Sequence, residues 1–219
     1  QLDQLLGAQV HLLPPGTDRD GALRRMASAL KKSGRTPYVI PSGGSNATGA
    51  LGYVACAEEL EAQADTDGER IDYLVHATGS GGTQAGLIAG FQAIASQTGV
   101  LGVDITAHAA DLRGKVSAIA KDTLARLGGG DRFSKDALQI VEGYAGGAYG
   151  MPTEEMRAAV RLVARLEGLI LDPVYAGKAM AGLIDLVAKG RFKDDQTVVF
   201  LHTGGMPGLF AYNDYFQEK

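Results

Sequence analysis

The sequence predicts an α/β protein with an open, mainly parallel sheet and helices on both faces of that sheet. Three kinds of segment recur along its 219 residues: a short aliphatic or β-branched run, a glycine-rich junction, and a helical pattern. Strands that alternate with helices in this way are typical of parallel sheets whose neighbouring strands are joined by helical crossovers.

The beginning of the chain predicts short elements. Residues 2–6 look like the end of a helix and the chain starts without Met, so we expect it to be the later part of a longer protein. Residues 10–13 predict a strand ended by Pro14-Pro15, residues 21–32 an amphipathic helix ending near Gly34, residues 38–41 a second strand, and residues 42–48 a glycine-rich turn.

The remainder predicts a regular alternation of strands and helices. We expect helices at 50–64, 83–96, 111–127 and 177–189. We expect strands at 71–77, 100–105 and 137–141, and a buried strand at 197–202. Residues 142–152 predict a loop, and residues 169–171 form a short apolar run. Thr153 predicts a further helix start, because Glu154 and Glu155 place acids in its first turn, and Gly168 predicts its end.

Composition excludes several classes of protein. The net charge is −4 and the Lys and Arg residues are dispersed, which argues against a nucleic-acid partner. The single cysteine, Cys56, excludes an internal disulfide, and the pattern predicts no bound metal. Neither a signal peptide nor a membrane span is recognisable, so we expect a cytoplasmic protein.

The segment after the strand at 71–77 predicts a binding site for an anion. Glycines and hydroxyls at Gly79, Ser80, Gly81, Gly82 and Thr83, with Thr78 before them, open a helix whose free N–H groups and dipole favour negative charge. A Walker loop would end in Gly-Lys-Ser/Thr, and a dinucleotide fingerprint would have glycine at Gln84, so neither fits. One terminal phosphate of a small cofactor fits, and a tight turn without a ligand stays open.

Glycine clusters at residues 43–44, 79–82 and 204–205 all follow predicted strands. Because ligands of open α/β sheets bind beyond the carboxyl ends of strands, we expect these clusters to converge on one crevice.

Five segments together resemble a known family. They are Ile40-Pro41-Ser42-Gly43-Gly44-Ser45-Asn46, residues 78–86, Tyr149-Gly150-Met151-Pro152, Leu171-Asp172-Pro173-Val174-Tyr175-Ala176-Gly177-Lys178-Ala179-Met180, and Leu201-His202-Thr203-Gly204-Gly205-Met206-Pro207. They resemble the pyridoxal-phosphate enzymes of the tryptophan-synthase-β fold (fold type II), in the group of D-cysteine desulfhydrase, L-cysteate sulfo-lyase and 1-aminocyclopropane-1-carboxylate deaminase.

The resemblance implies roles for particular residues. Residues Gly79 to Thr83 would hold the phosphate of pyridoxal 5'-phosphate, and Tyr149 and Tyr175 would face a small amino-acid substrate. A phenol can exchange a proton there if the cationic surroundings of the cofactor lower its pKa. Thr203 would face the pyridine nitrogen, as in the desulfhydrases, and Ala176 stands where the deaminases have a Glu.

The resemblance also places the Schiff-base lysine in an N-terminal section with no counterpart here. Lys178 lies in a family motif at the start of a helix and does not match that lysine. We therefore expect this chain alone to bind the cofactor weakly or not at all and to be inactive. Residues 1–48 would be a remnant of the smaller domain and residues 49–219 the larger cofactor domain of a homodimeric enzyme.

The predicted activity is a carbon–sulfur lyase that releases sulfide from D-cysteine or sulfite from L-cysteate, with pyruvate and ammonia. Two alternatives stay open. One is 1-aminocyclopropane-1-carboxylate deaminase, against which Ala176 argues, and the other is an inactive truncated homologue that serves as a binding module.

Overall fold

The computed structural model describes residues 2–14, 16–129 and 132–217, and the chain divides into two compact units, residues 1–42 and 43–219. The first unit contains α1 (Leu2–Leu5) and α2 (Arg19–Lys32). Helix α2 begins slightly earlier than predicted, because the carboxylate of Asp18 caps it by accepting from the Gly21 amide at 2.9 Å.

The strands predicted at residues 10–13 and 38–41 are wrong, because both segments are irregular. Leu12 is 91% exposed and Tyr38 is 78% exposed, so their apolar side chains are not packed as they would be in a sheet. A strand needs a hydrogen-bonded neighbour, and β propensity alone does not supply one. Pro15, part of the proline pair predicted to end the first strand, lies outside the described residues.

The second unit is built on a parallel sheet, as predicted. Its strands are β1 (Tyr73–Thr78), β2 (Gly99–Asp104), β3 (Gln139–Val141) and β4 (Val198–Phe200), in the order β3-β2-β1-β4. Val75 of β1 pairs with Leu101 on one side and with Phe200 on the other, and every neighbouring pair of these strands is parallel.

Helices cover both faces of this sheet. They are α3 (Ala47–Asp67), α4 (Gly82–Ala93), α5 (Ala109–Arg126), α6 (Glu154–Glu167) and α7 (Ala176–Ala188), followed by the short α8 (Asn213–Phe216). Leu74 packs in a cluster with residues of α3, α4 and α5, whereas the next residue, Val75, packs against Ala179 of α7. This alternation along β1 confirms a sheet covered on both faces.

The start and end of α6 are as predicted. Thr153 accepts from the Met156 amide, and Gly168 ends the helix with a left-handed backbone. The prediction of a buried strand at residues 197–202 is wrong in length and burial, because β4 is short and half-buried at the edge of the described sheet. In the part of the chain that the structure describes, no helix is long and apolar enough to cross a membrane.

Helices α3 and α4 approach each other closely. A Cβ atom at Gly86 of α4 would lie 2.4 Å from the backbone oxygen of Ala50, and one at Gly90 would lie 2.7 Å from the Cβ atom of Ala57. Because only glycine allows this separation, these two positions bring the starts of both helices to the same end of the sheet.

Candidate functional site

A cleft of about 250 Å³ lies beyond the carboxyl ends of β1 and β4 and beside the start of α7. This is the position where open α/β sheets bind ligands. The cleft is lined by Tyr53, Ala77, Thr78, Gly79, Ser80, Gly81, Thr83, Tyr175, Thr203, Gly204 and Gly205. The structure thus brings most of the predicted site residues to one place.

Residues 79–81 form the turn that joins β1 to α4, and Gly82 and Thr83 are the first two residues of that helix. Gly81 has a φ angle of 91° and directly precedes Gly82, the first residue of α4. A side chain at this left-handed position would be strained, and its Cβ atom would lie 3.1 Å from Cγ2 of Val116. Gly81 has no side chain that could cap the helix, so the amides at the start of α4 that have no other partner can bind an anion.

Ser45 belongs to this turn in space, although sequence reasoning did not assign it a role. Its hydroxyl donates to Oγ of Ser80 at 2.7 Å, and its oxygen accepts from the amide of Gly82 at 3.2 Å. Asn46 follows Ser45 and caps α3 by accepting from the Thr48 and Gly49 amides. The starts of α3 and α4 therefore meet at Ser45. The cluster at residues 43–44 also lies here, since a Cβ atom at Gly43 would be 2.4 Å from Oγ of Ser80.

The donors around the cleft fit a phosphate group. Thr78 is 1% exposed and lines the cleft, yet its Oγ1 atom has no hydrogen-bond partner among the described residues. A buried hydroxyl without a partner costs about 1–3 kcal/mol, which a ligand oxygen can offset. Ser80 and Thr83 add two hydroxyls, and none of the described residues that line the cleft is acidic.

The turn before α7 is organised by Asp172, which sequence reasoning left without a role. Its carboxylate accepts from the amides of Val174, Tyr175 and Ala176, each at 2.8 Å. The side chain is 1% exposed, and a Cβ atom at Gly205 would lie 2.9 Å from its Cγ atom. Asp172 therefore fixes the backbone of Tyr175 and lies directly beside the glycines that follow β4.

Tyr149 and Tyr175 meet at the mouth of the cleft. Their hydroxyls are hydrogen-bonded to each other, and their rings meet edge to face with centroids 5.9 Å apart. Tyr175 lines the cleft, whereas Tyr149 is not among the lining residues and has 55% of its surface exposed. Tyr212 supports the Tyr149 segment by donating to the backbone oxygen of Gly150 at 2.7 Å.

The surroundings of Tyr175 raise the pKa of its phenol. Burial is the largest cause, followed by the hydrogen bond with Tyr149, and the negative charge of Asp172 acts in the same direction. The sequence-based interpretation made proton exchange depend on a pKa lowered by the cofactor. The side chains of this chain act in the opposite direction, so they favour a neutral phenol that can donate a hydrogen bond.

Thr203 and Ala176 lie in different environments. Thr203 is exposed and lines the cleft, as expected for a residue that touches a ligand. Ala176 is 2% exposed and packs with Met156 and Val160 in a cluster beneath α7. The structure therefore places Ala176 in the core and not among the residues that line the cleft.

Lys178 is fully buried and does not line the cleft. Its Nζ atom donates to the backbone oxygen of Ala145. Burial lowers the pKa of this lysine, whereas the charges of Asp104 and Asp172 act to raise it.

Comparison with known proteins identifies the class to which this fold and cleft belong. Residues 1–204 match the family described as pyridoxal-phosphate dependent enzyme. The chain therefore belongs to the family of pyridoxal-phosphate-dependent enzymes, which confirms the predicted family and its cofactor.

Particular relatives narrow the comparison. The chain is 44% identical over 209 residues to a D-cysteine desulfhydrase from Serratia proteamaculans (strain 568), a match that covers 95% of the chain and 62% of that protein. It is 41% identical over 221 residues to a 1-aminocyclopropane-1-carboxylate deaminase from Mesorhizobium japonicum, covering 99% of the chain and 65% of that protein. The chain thus spans less than two thirds of the length of these curated relatives.

Solved structures confirm the predicted fold. The crystal structure of an ACC deaminase homologue has a TM-score of 0.88 and 34% identity, and the match covers 98% of this chain and 64% of that one. A threonine deaminase isoform from Solanum lycopersicum has a TM-score of 0.57 at 21% identity, covering 96% of this chain and 57% of that one, which shows the fold alone.

Proposed function

We propose that this chain forms the cofactor-binding part of a carbon–sulfur lyase that eliminates the β-substituent of D-cysteine or L-cysteate. The observation that carries the proposal is the shared cleft, in which the glycine turn after β1, Thr203 and Tyr175 lie together. The relatives named D-cysteine desulfhydrase support the same reading, which here remains a proposal.

The cleft residues would hold pyridoxal phosphate by its phosphate. The amides and hydroxyls of Gly79, Ser80, Gly81 and Thr83 would donate to the phosphate oxygens, with Thr78 as a further donor. The sequence also predicts Gly82 as a donor, but its amide donates to Ser45 and it does not line the cleft. Thr203 would present its hydroxyl to the pyridine nitrogen. When bound, pyridoxal phosphate acts as an electron sink for a substrate carbanion.

Tyr149 and Tyr175 would serve the substrate. Because the pKa of Tyr175 is raised, its phenol stays neutral and can donate a hydrogen bond to a leaving group or carboxylate. The hydroxyl of Tyr149 is hydrogen-bonded to that of Tyr175 and would orient it toward the substrate. Asp172 would keep Tyr175 at this position through its hydrogen bond to the Tyr175 amide.

The same cleft favours a lyase over 1-aminocyclopropane-1-carboxylate deaminase. The resemblance assigns deaminases a Glu at the position of Ala176, and no acidic side chain lies among the described residues that line the cleft. Asp172, which lies beside it, already accepts three backbone amides. A hydroxyl partner such as Thr203 leaves the pyridine nitrogen largely neutral, which suits expulsion of a good leaving group.

We further propose that the chain alone is inactive. No lysine of the described residues lines the cleft, and Lys178 is engaged with Ala145. The role of a binding module without catalysis therefore stays as the second candidate. The division at residue 48 into two domains, a homodimeric assembly and a cytoplasmic location also remain proposals.

Product assays test this function. The chain supplied with pyridoxal phosphate should release neither sulfide from D-cysteine nor sulfite from L-cysteate. A longer polypeptide that joins this chain to a lysine-bearing upstream segment should release one of them with pyruvate and ammonia. Formation of 2-oxobutyrate from 1-aminocyclopropane-1-carboxylate as the main product would support the deaminase instead. Lyase activity of the chain alone that is lost in Lys178→Met would contradict the proposed inactivity.

A further inference from the structure

Lys178 lies in the first turn of α7 and is 0% exposed. It does not line the cleft, so the proposed function gives it no contact with a cofactor or substrate. Burying a lysine is costly unless its ammonium group has partners, and its role must therefore follow from those partners.

The first partner belongs to the segment that carries Tyr149. Nζ of Lys178 donates to the backbone oxygen of Ala145, which is itself buried. The neighbouring Tyr144 donates from its hydroxyl to Asp185, also on α7. Two adjacent residues of the segment 142–152, Tyr144 and Ala145, are thus hydrogen-bonded to side chains of the same helix.

Two buried carboxylates also act on Lys178 through their negative charge. Asp104, at the end of β2, accepts from the amide and the hydroxyl of Thr106 at 2.8 and 2.7 Å. Asp172 accepts three amides of the turn that holds Tyr175. Both carboxylates are nearly fully buried, and the negative charge of each acts on the ammonium group of Lys178.

We propose that Lys178 is a positioning residue that holds the segment of Tyr149 and the turn of Tyr175 against one helix and thereby sets the contact between the two phenols. The hydrogen bond to Ala145 ties the first tyrosine's segment to α7, and the second tyrosine directly precedes the first turn of the same helix. The positive charge of Lys178 favours the ionised form of Asp172, which organises the second tyrosine's turn. Any effect of the contact between Tyr149 and Tyr175 on catalysis rests on the proposed function. The positioning of the two tyrosines by Lys178 does not depend on it.

Amide hydrogen exchange of the chain carrying Lys178→Met tests this role, because methionine keeps most of the volume and removes the charge and the donor. We expect the amides of residues 142–151 and 174–176 to exchange at least about tenfold faster, while α3 and α4 keep their rates. Lys115→Met, at an exposed position of α5, is the matched control and should change none of these rates.

The fluorine resonances of labelled tyrosines report the local surroundings of each ring, and a change in overall stability alone would not shift them. In the chain labelled with 3-fluorotyrosine, the fluorine resonances of Tyr149 and Tyr175 are assigned from Tyr149→Phe and Tyr175→Phe. Lys178→Met should shift or broaden both, and leave those of Tyr38 and Tyr53 in place. If Lys178→Met does not fold, Lys178→Arg is measured instead, with changes expected in the same two segments.

Unchanged exchange in residues 142–151 and 174–176, or unchanged Tyr149 and Tyr175 resonances, would overturn the proposal. Protection lost equally from α3 and α4 in both Lys178 variants would also overturn it, because the lysine would then support the whole fold. None of these measurements needs a cofactor, so a failure of pyridoxal phosphate to bind would count against the proposed function and leave the positioning role intact.

Discussion

Ser45 and Ser80, 35 residues apart in the sequence, share a hydrogen bond of 2.7 Å where helices α3 and α4 begin. Ser80 lines the cleft, and Ser45 also accepts from the amide of Gly82. The glycine turn after β1 is therefore tied to the start of α3. The geometry of the proposed phosphate site depends on how these two helices pack.

The Ser45–Ser80 bond predicts coupled effects on stability. Ser45→Ala and Ser80→Ala should each lower the free energy of unfolding, and the double variant should cost about 1 kcal/mol less than the sum of the two. Urea unfolding followed by circular dichroism measures all three. Strictly additive effects would show that the hydroxyls do not interact in solution.

Close packing of α3 on α4 makes Gly86 sensitive to a single methyl group. Gly86→Ala should lower stability by about 1–3 kcal/mol, because its Cβ atom would lie 2.4 Å from the backbone oxygen of Ala50. Gly114→Ala on α5 is the matched control, since no atom lies within 4 Å of its added Cβ, and it should raise stability by up to about 1 kcal/mol. A stabilising Gly86→Ala would contradict the described helix packing.

His76 predicts a loss of stability in mild acid. Burial in the centre of β1 lowers its pKa from 6.5 to about 4. Between these values the unfolded chain binds a proton on this imidazole and the folded chain does not. The contribution of the neutral His76 to the free energy of unfolding is therefore fully present above pH 6.5 and is lost as the pH falls toward 4. The loss is at most about 3 kcal/mol.

The check is the slope of unfolding free energy against pH. His76→Gln should flatten this slope between pH 6.5 and 4. Equal slopes in the original chain and in His76→Gln would mean that this histidine is protonated in the folded state.

Sequence reasoning succeeded where local chemistry decides the structure. The turn at residues 79–83 and the capping of α6 by Thr153 depend on neighbouring residues, and both are as predicted. The strands expected at residues 10–13 and 38–41 are wrong because a strand depends on its partner, which sequence propensity does not reveal.

Parts of the site were missed because distant residues build them. Ser45 reaches the turn only because Gly86 and Gly90 let α3 and α4 approach. Asp172 accepts hydrogen bonds from backbone amides, and every residue type except proline has such an amide. Its partners therefore could not be identified from residue types in the sequence. The glycine cluster at residues 43–44, which was expected to converge with the cluster at residues 79–82, was the sign that this segment lies near the turn.

The central claim is that the cleft holds the cofactor by its phosphate, and amide chemical shifts test it most directly. The two compounds to compare are pyridoxine 5'-phosphate and pyridoxine, which differ from each other only in the phosphate. Both lack the aldehyde of pyridoxal phosphate, so neither reacts with surface lysines. We expect pyridoxine 5'-phosphate to shift the amides of residues 79–83 and of Thr203, inorganic phosphate to compete with it, and pyridoxine to leave them unchanged. Shifts elsewhere, no shifts with either compound, or equal shifts with both would contradict the account.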